Sequence, residues 1–243
     1  MLNIVASEWT KLRTTASFWW TSGLMLAIPT ILAAIFASAD SENAFVYIPL
    51  TVIMAVAMVT AVVITVQATM TVTTEYRFGI PATTYRISPV RWQVAVVKLG
   101  LYAVIAALLT FLALVLAFTL GDALAYHPAN WTSNPATTRA LWALPLGAAT
   151  VTLFNQGIGW LVRNTAGAIV LAFGTQFVVE ALVGLVPRVG EDVAKFMPFS
   201  NLYAFLFNMP TGTFTVWESL GVFAAWAAVL WIVGLVLLER RDA

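Results

Sequence analysis

Long apolar blocks separated by short polar segments make up most of this chain. Six of them approach the roughly twenty residues that cross a hydrocarbon core, and they lie at about 18–38, 46–74, 97–120, 141–162, 166–186 and 217–238. The second block is longer than a bilayer requires, so we expect its last turns to protrude from the membrane. The pattern predicts an all-α membrane protein with six transmembrane helices in a single domain, 1–243.

The composition agrees with a lipid environment. The chain is 61% hydrophobic and 9% charged, against roughly 25% charged residues in soluble domains. Its net charge of +1 argues against nucleic acid as a partner, because phosphate binding needs a concentrated basic face. It has no cysteine, which excludes disulfides and thiolate metal sites.

Basic residues indicate how the chain is oriented. The segment before the first block, the 75–98 segment, the 163–165 turn and the C-terminal segment carry nine of the twelve Lys and Arg residues, and the other connections carry three. We therefore expect a protein of the cell (plasma) membrane. The positive-inside rule places both of its termini in the cytoplasm. Ala37-Ser38-Ala39 resembles a signal-peptidase site, but the first block is longer than a signal sequence requires.

An amphipathic helix is predicted before the first span. Its apolar positions recur at helical spacing; they are Leu2, Val5, Trp9, Leu12 and Ala16. Such a helix lies in the inner interface with basic residues toward anionic headgroups. The interfacial residues of interest are Glu8, Trp9, Lys11 and Arg13. The helix either serves as an anchor alone or also flanks a docking site.

The segment 75–98, called the elbow below, is basic, and its Gly and Pro residues mark expected helix ends and starts. Gly79 is placed as a helix C-cap, Pro81 as the first residue of a short helix through about Ile87, and Ser88-Pro89 as the start of the third span. The positive-inside rule accounts for the sign of the charges alone. It does not account for the placement of the glycine and proline residues or for the presence of Glu75 among the basic residues. Five residues are therefore candidates for a contact with a partner protein: Glu75, Tyr76, Arg77, Arg86 and Arg91.

Few polar groups lie inside the spans. Gln67, Asn155, Gln176 and the ionisable Glu180 are tentative substrate-path residues, and each could equally be a structural hydrogen-bonding group. Gly157, Gly159, Gly167 and Gly174 give the fourth and fifth spans small faces suited to close packing. The outer segment 187–216 is too apolar for an aqueous loop, which predicts one or two short re-entrant helices.

Several kinds of chemistry have no motif here. The chain contains no G-x-x-x-x-G-K-[ST] phosphate loop, so it is not a nucleotide-driven motor of that kind. Its single histidine, His127, is expected to be solvated in an outer loop. No catalytic residue, metal ligand or cofactor site is predicted, and the chain by itself is not expected to be an enzyme.

Three segments together resemble the six-span permease subunits of ABC-2 type exporters, especially the compact actinobacterial kind. They are Ser7–Arg13, the elbow from Glu75 to Ile80 with Pro89, Arg91 and Lys98, and the hairpin Gly157–Gly167. The similarity runs over nearly the whole chain.

The resemblance implies a homo- or heterodimer of permeases with two copies of a separate ATPase subunit. That subunit would bind ATP and Mg²⁺ and would engage the elbow as a coupling helix. The implied activity is export of a hydrophobic or amphipathic substrate such as a drug, an antibiotic or a lipid-like molecule. Two other functions remain open: an ion-gradient-driven secondary transporter that uses Glu180, and a non-transporting membrane scaffold or immunity protein.

Overall fold

The computed structural model describes residues 2–81 and 90–240, and these are helical with no β-strand. In chain order the helices are α1 (Leu2–Arg13), α2 (Ala16–Ala39), α3 (Pro49–Arg77), α4 (Arg91–Leu124), α5 (Pro135–Val162), α6 (Thr165–Phe173), α7 (Glu180–Val183), α8 (Gly190–Ala194), α9 (Pro198–Phe207) and α10 (Val216–Arg240). A π-helical turn, Gly174–Val179, joins α6 to α7.

Five helical segments of the described chain are long and apolar enough to cross a membrane, which fits a multi-pass membrane protein. They are Ala16–Ala39, Pro49–Arg77, Arg91–Leu124, Thr165–Val183 and Val216–Arg240. The predicted fourth span, 141–162, falls in α5 and is not among the five. Helix α5 contains the adjacent polar residues Asn155 and Gln156 together with several threonines.

The third, fourth and fifth spans differ from their predicted bounds, and α5 begins at Pro135, six residues before the predicted 141. The third span lies in α4, whose start at Arg91 is close to the start predicted at Ser88-Pro89, so Lys98 belongs to α4 and not to a loop. The fifth is not one continuous α-helix, because the π-helical turn interrupts it before it ends at Val183. Widened turns of this kind occur mostly as single insertions within α-helices, and hydrophobic periodicity does not reveal them.

Helix α5 lies at the centre of the bundle. It packs against α3, α4, α6 and α10, while α2 packs on α3 and α4. Most side chains along its second half are buried, including Phe154 and Trp160. Helices α3, α4 and α10 present exposed apolar side chains on their outward sides, as expected where lipid is the solvent.

The long helices alternate in direction, so the bundle has two ends. The elbow end holds α1, the C-termini of α3, α5 and α10, and the N-termini of α2, α4 and α6. Short helices α8 and α9 lie at the opposite end, within the predicted segment 187–216. Helix α9 buries Phe199 and Phe205 against α5 and α10.

Carboxylates organise the connections at the opposite end. Asp40 accepts hydrogen bonds from the backbone amides of Val46 (3.0 Å), Tyr47 (3.4 Å) and His127 (2.7 Å). Burial alone would raise the pKa of Asp40, but these amides outweigh burial and lower the pKa below its ordinary value. The His127 side chain keeps 31% of its surface exposed, and its ring also lies 3.2 Å from Asp40 and stacks on Phe45.

Close packing between α5 and α10 depends on glycine. A Cβ added at Gly157 would lie 2.7 Å from the backbone nitrogen of Trp231, and one at Gly234 would lie 2.8 Å from the Cβ of Trp160. Gly159 also faces a tight contact, with Val72 at 3.1 Å. Gly174, by contrast, has no neighbour within 4 Å, so the predicted close packing does not extend to it.

We therefore expect Gly157→Ala to destabilise the bundle by about 1–3 kcal/mol, because overpacking forces the backbones of α5 and α10 apart. Gly221→Ala is the matched control on α10, since an added Cβ there meets nothing within 4 Å. The measurement is the midpoint of thermal unfolding in detergent. Equal midpoints for the two variants would contradict the close-contact assignment.

Candidate functional site

Four charged side chains from three helices meet at the elbow end, and we call them the ion cluster: Glu8, Lys11, Glu75 and Lys98. The Lys11 Nζ lies 2.6 Å from Glu8 Oε1 and 2.6 Å from Glu75 Oε1. The Lys98 Nζ lies 2.8 Å from Glu75 Oε1 and also pairs with Glu8 Oε2. Each acid therefore contacts both bases, and α1, α3 and α4 are joined at one point.

The cluster is largely buried and its charges balance. Side-chain exposure is 3% for Lys98, 6% for Glu8 and 8% for Glu75, whereas Lys11 retains 34%. Burial tends to lower the pKa of Lys11, but Glu75 and Glu8 outweigh burial and raise it. The two acids and two bases have formal charges that sum to zero. Removing one of them leaves an uncompensated buried charge.

Local sequence explains how the cluster forms. Glu8 and Lys11 are three residues apart on α1 and so share one helix face. Glu75 lies in the last turn of α3, and Lys98 lies about two turns into α4. Gly79 ends α3 with a φ of 64°, a left-handed conformation that glycine adopts without steric cost and that confirms the predicted C-cap.

A second polar layer lies about two helical turns deeper in α3. The Gln67 Nε2 donates to Phe18 O and Ser22 Oγ, each at 3.2 Å, and also bonds Thr21 Oγ1. Its Oε1 accepts a hydrogen bond from the Tyr102 hydroxyl at 2.5 Å. Gln67 therefore holds α2, α3 and α4 together, which is a structural role for one of the tentative substrate-path residues.

A cavity of about 350 Å³ separates the two layers. Glu8, Lys11, Glu75 and Lys98 form one end of it, and Gln67 and Tyr102 line it as well. Most of the remaining wall is apolar, and it includes Leu12, Phe18, Val66, Met70 and Leu101. An apolar chamber with a few convergent polar groups is the usual form of a ligand site.

The elbow candidates occupy different environments. Glu75 is buried in the cluster instead of lying at the surface. Tyr76 packs edge-on to Trp160 at 6.3 Å, and the Arg163 guanidinium lies 4.8 Å from its ring centre. Arg77 is exposed, beside the ring of Phe78.

The structure describes some of the remaining elbow residues and not others. Arg91 donates to Leu238 O at 2.9 Å, near the C-terminus of α10. The backbone is helical at Ile80 and Pro81. Arg86, the rest of the predicted short helix and the Ser88-Pro89 pair lie outside the described residues.

Helix α1 turns a charged face inward. Its apolar residues Leu2, Val5 and Trp9 are exposed, whereas Glu8 is buried. Arg13 is exposed, and its carbonyl oxygen accepts a hydrogen bond from Trp19 Nε1 at 2.8 Å. The exposed apolar face is compatible with the predicted interfacial position, which stays a prediction.

The other tentative substrate-path residues do not meet at one place. The Asn155 Nδ2 donates to Val151 O (2.9 Å) and Thr65 Oγ1 (3.3 Å), and Gln176 bonds the Tyr203 hydroxyl at 2.6 Å. Glu180 accepts hydrogen bonds from the amides of Phe199 (2.5 Å) and Ser200 (2.7 Å) and from the Ser200 hydroxyl (2.7 Å). It therefore caps the N-terminus of α9. A role in a substrate path stays a prediction for these residues.

Sequence reasoning missed the ion cluster as a unit. It assigned Glu8 and Lys11 to an interfacial helix, Glu75 to a docking surface and Lys98 to a loop. The available signal was the pair of acids, Glu8 and Glu75, within two otherwise basic segments next to apolar spans. Their long separation in sequence hid the contact.

Comparison with models of known protein families gives no match for this chain, and comparison with curated proteins gives none either. Among the described residues, no group of three His, Asp or Glu side chains could hold a metal ion. The candidate functional features of the chain are the ion cluster, the cavity and the elbow.

We expect Lys98→Met to destabilise the protein by about 3–5 kcal/mol, because it leaves one buried carboxylate without compensation. Adding Glu8→Gln restores the charge balance and should recover part of the loss. Lys195→Met is the matched control: its ion pair with Asp192 is exposed, and such pairs contribute about 0–1 kcal/mol. Thermal unfolding of the four proteins in detergent measures the differences. A Lys98→Met protein as stable as the control would contradict the buried cluster.

Proposed function

We propose that this chain is the membrane-spanning permease subunit of an ATP-binding cassette exporter. It would move a hydrophobic or amphipathic substrate out of the cell with ATP hydrolysed by a separate subunit. The absence of a phosphate loop from the sequence is consistent with an external ATPase. Two permease copies, identical or different, would enclose the transport path.

The ion cluster is the observation that carries this proposal. It joins α1 to the extended end of α3 and the start of α4, and two of its members, Glu75 and Lys98, are the first and last residues of the elbow. A force applied to the elbow would reach all three helices together, since moving any one alone would separate buried charges. The Gln67 layer would pass the displacement to α2. Such a rigid unit suits a subunit driven by a partner's conformational change.

Arg77 supplies an accessible contact in this scheme. It is exposed where α3 ends and next to the buried Glu75, so a partner could bind it without disturbing the cluster. Arg91 contacts the end of α10, which would link the elbow to that helix. Arg86 belongs to the same proposed surface by its position in the sequence.

The ion-gradient alternative receives less support. It requires Glu180 to exchange protons or ions, but both of its oxygens accept hydrogen bonds from the start of α9. Opening that site would uncap a buried helix. A scaffold or immunity function has no particular feature in its favour.

The proposed topology places the elbow end in the cytoplasm. The chain has no cysteine, so single cysteines can report exposure without background. Thr132→Cys, exposed at the opposite end, should react with a membrane-impermeant maleimide in intact cells. Arg240→Cys, exposed at the elbow end, should react only after lysis. The reverse pattern would overturn the orientation.

The exporter proposal predicts that a neighbouring reading frame encodes a phosphate-loop ATPase; it is tested by co-purification of that ATPase with this chain, followed by ATPase assays in liposomes. Arg77→Glu should reduce permease-stimulated ATP hydrolysis about tenfold, because it reverses charge at the proposed contact while leaving the buried cluster intact. Arg188→Glu, exposed at the opposite end, is the matched control and should retain stimulation. No co-purification, or full stimulation by Arg77→Glu, would count against the proposal.

A further inference from the structure

The cavity beside the ion cluster has a lining and a charge pattern that specify a ligand. We propose that it binds a zwitterionic phospholipid with a primary ammonium headgroup, the ethanolamine type. This inference concerns the bound state of the chain itself. It does not rest on the proposed transport function.

Size and access fit the headgroup of a lipid together with the start of one acyl chain. The volume of about 350 Å³ lies within the roughly 300–1,000 Å³ typical of ligand pockets. A whole phospholipid is larger, so its remaining chains would stay in the bilayer. The lining residues Thr14, Thr15, Ser17 and Phe78 are exposed and mark an open mouth.

The polar end of the cavity offers one acceptor and one donor. Both lysines contact the same oxygen of Glu75, Oε1. The other oxygen, Oε2, accepts no hydrogen bond from the described residues. Lys11 carries three N–H groups, contacts two carboxylate oxygens, and is the most exposed member of the cluster. A ligand ammonium can therefore donate to Glu75 Oε2 while a ligand phosphate accepts from Lys11.

Charge balance selects a zwitterion over a charged headgroup. The four charges of the cluster sum to zero, and an added net charge at this largely buried site would lack a counterion. A phosphate and an ammonium on one headgroup cancel each other. The primary ammonium is required because the quaternary ammonium of a choline headgroup has no N–H to donate.

The apolar part of the cavity wall contacts the start of the acyl chain. Leu12, Phe18, Val66, Met70 and Leu101 come from α1, α2, α3 and α4. They line the same cavity as the ion cluster, so a lipid whose headgroup meets the cluster places its first methylenes against them. These side chains keep the methylenes in an apolar environment like that of the bilayer, so the preference for one lipid comes from its headgroup.

Native mass spectrometry of the purified full-length chain tests the preference. The protein is delipidated and titrated with phosphatidylethanolamine, phosphatidylcholine and phosphatidylglycerol of identical acyl chains. We expect one tightly bound phosphatidylethanolamine per chain, with at least fivefold weaker retention of the other two. Equal retention of all three, or a preference for the anionic lipid through general basic-surface attraction, would overturn the proposal.

Two variants that fill the cavity locate the site. Thr74→Phe, from α3, and Leu101→Trp, from α4, enlarge side chains that line the cavity without removing a charge. Each should lower phosphatidylethanolamine retention about tenfold. Thr51→Phe is the matched control: it makes the same kind of change near the other end of α3, where Thr51 is half-buried. The folding of each variant is compared with that of the wild type. If a correctly folded cavity-filling variant retains phosphatidylethanolamine as well as the wild type, the lipid binds elsewhere and the proposed site is wrong.

Discussion

Charge compensation within a buried site is the constraint on which the elbow end depends. Glu8, Lys11, Glu75 and Lys98 can lie together only because each acid meets both bases. An isolated buried charge carries a large desolvation penalty, so the four side chains behave as a unit. They fix α1 to the bundle, hold the end of α3 against the start of α4, and form the polar end of the cavity. The proposed coupling and the proposed lipid site both follow from this arrangement.

The two ends of the bundle satisfy their polar groups in different ways. At the elbow end, Arg91 and Arg163 donate to the last carbonyl groups of α10, where cations are favoured by the helix dipole. At the opposite end, Asp40 and Glu180 accept from backbone amides of loops and of α9. The exposed Arg77 at the elbow end lies two residues from the ion-cluster member Glu75, whereas the exposed Arg188 at the opposite end lies in the connection between α7 and α8. This difference supports the elbow as the side that meets a partner.

Much of the fold followed from local pattern. The apolar blocks gave the long helices to within a few residues in most cases, because lipid requires apolar side chains and internally bonded backbone over a fixed length. The exceptions have physical causes. Helix α5 can carry the polar Asn155 and Gln156 because its central position buries them away from lipid. The widened turn at Gly174–Val179 changes backbone hydrogen bonding without changing residue type.

The sequence by itself determined an all-helical multi-span chain, a basic elbow punctuated at Gly79, and the lack of a phosphate loop. These depend on hydropathy, on the left-handed preference of glycine and on a fixed motif, all of which are local properties. Tertiary structure alone decided that Glu8 and Lys11 reach Glu75 and Lys98, that Glu180 caps α9, and that a cavity opens beside the cluster. Those contacts join residues separated by 19 to 90 positions. Their partners are set by how the helices pack, which no local pattern encodes.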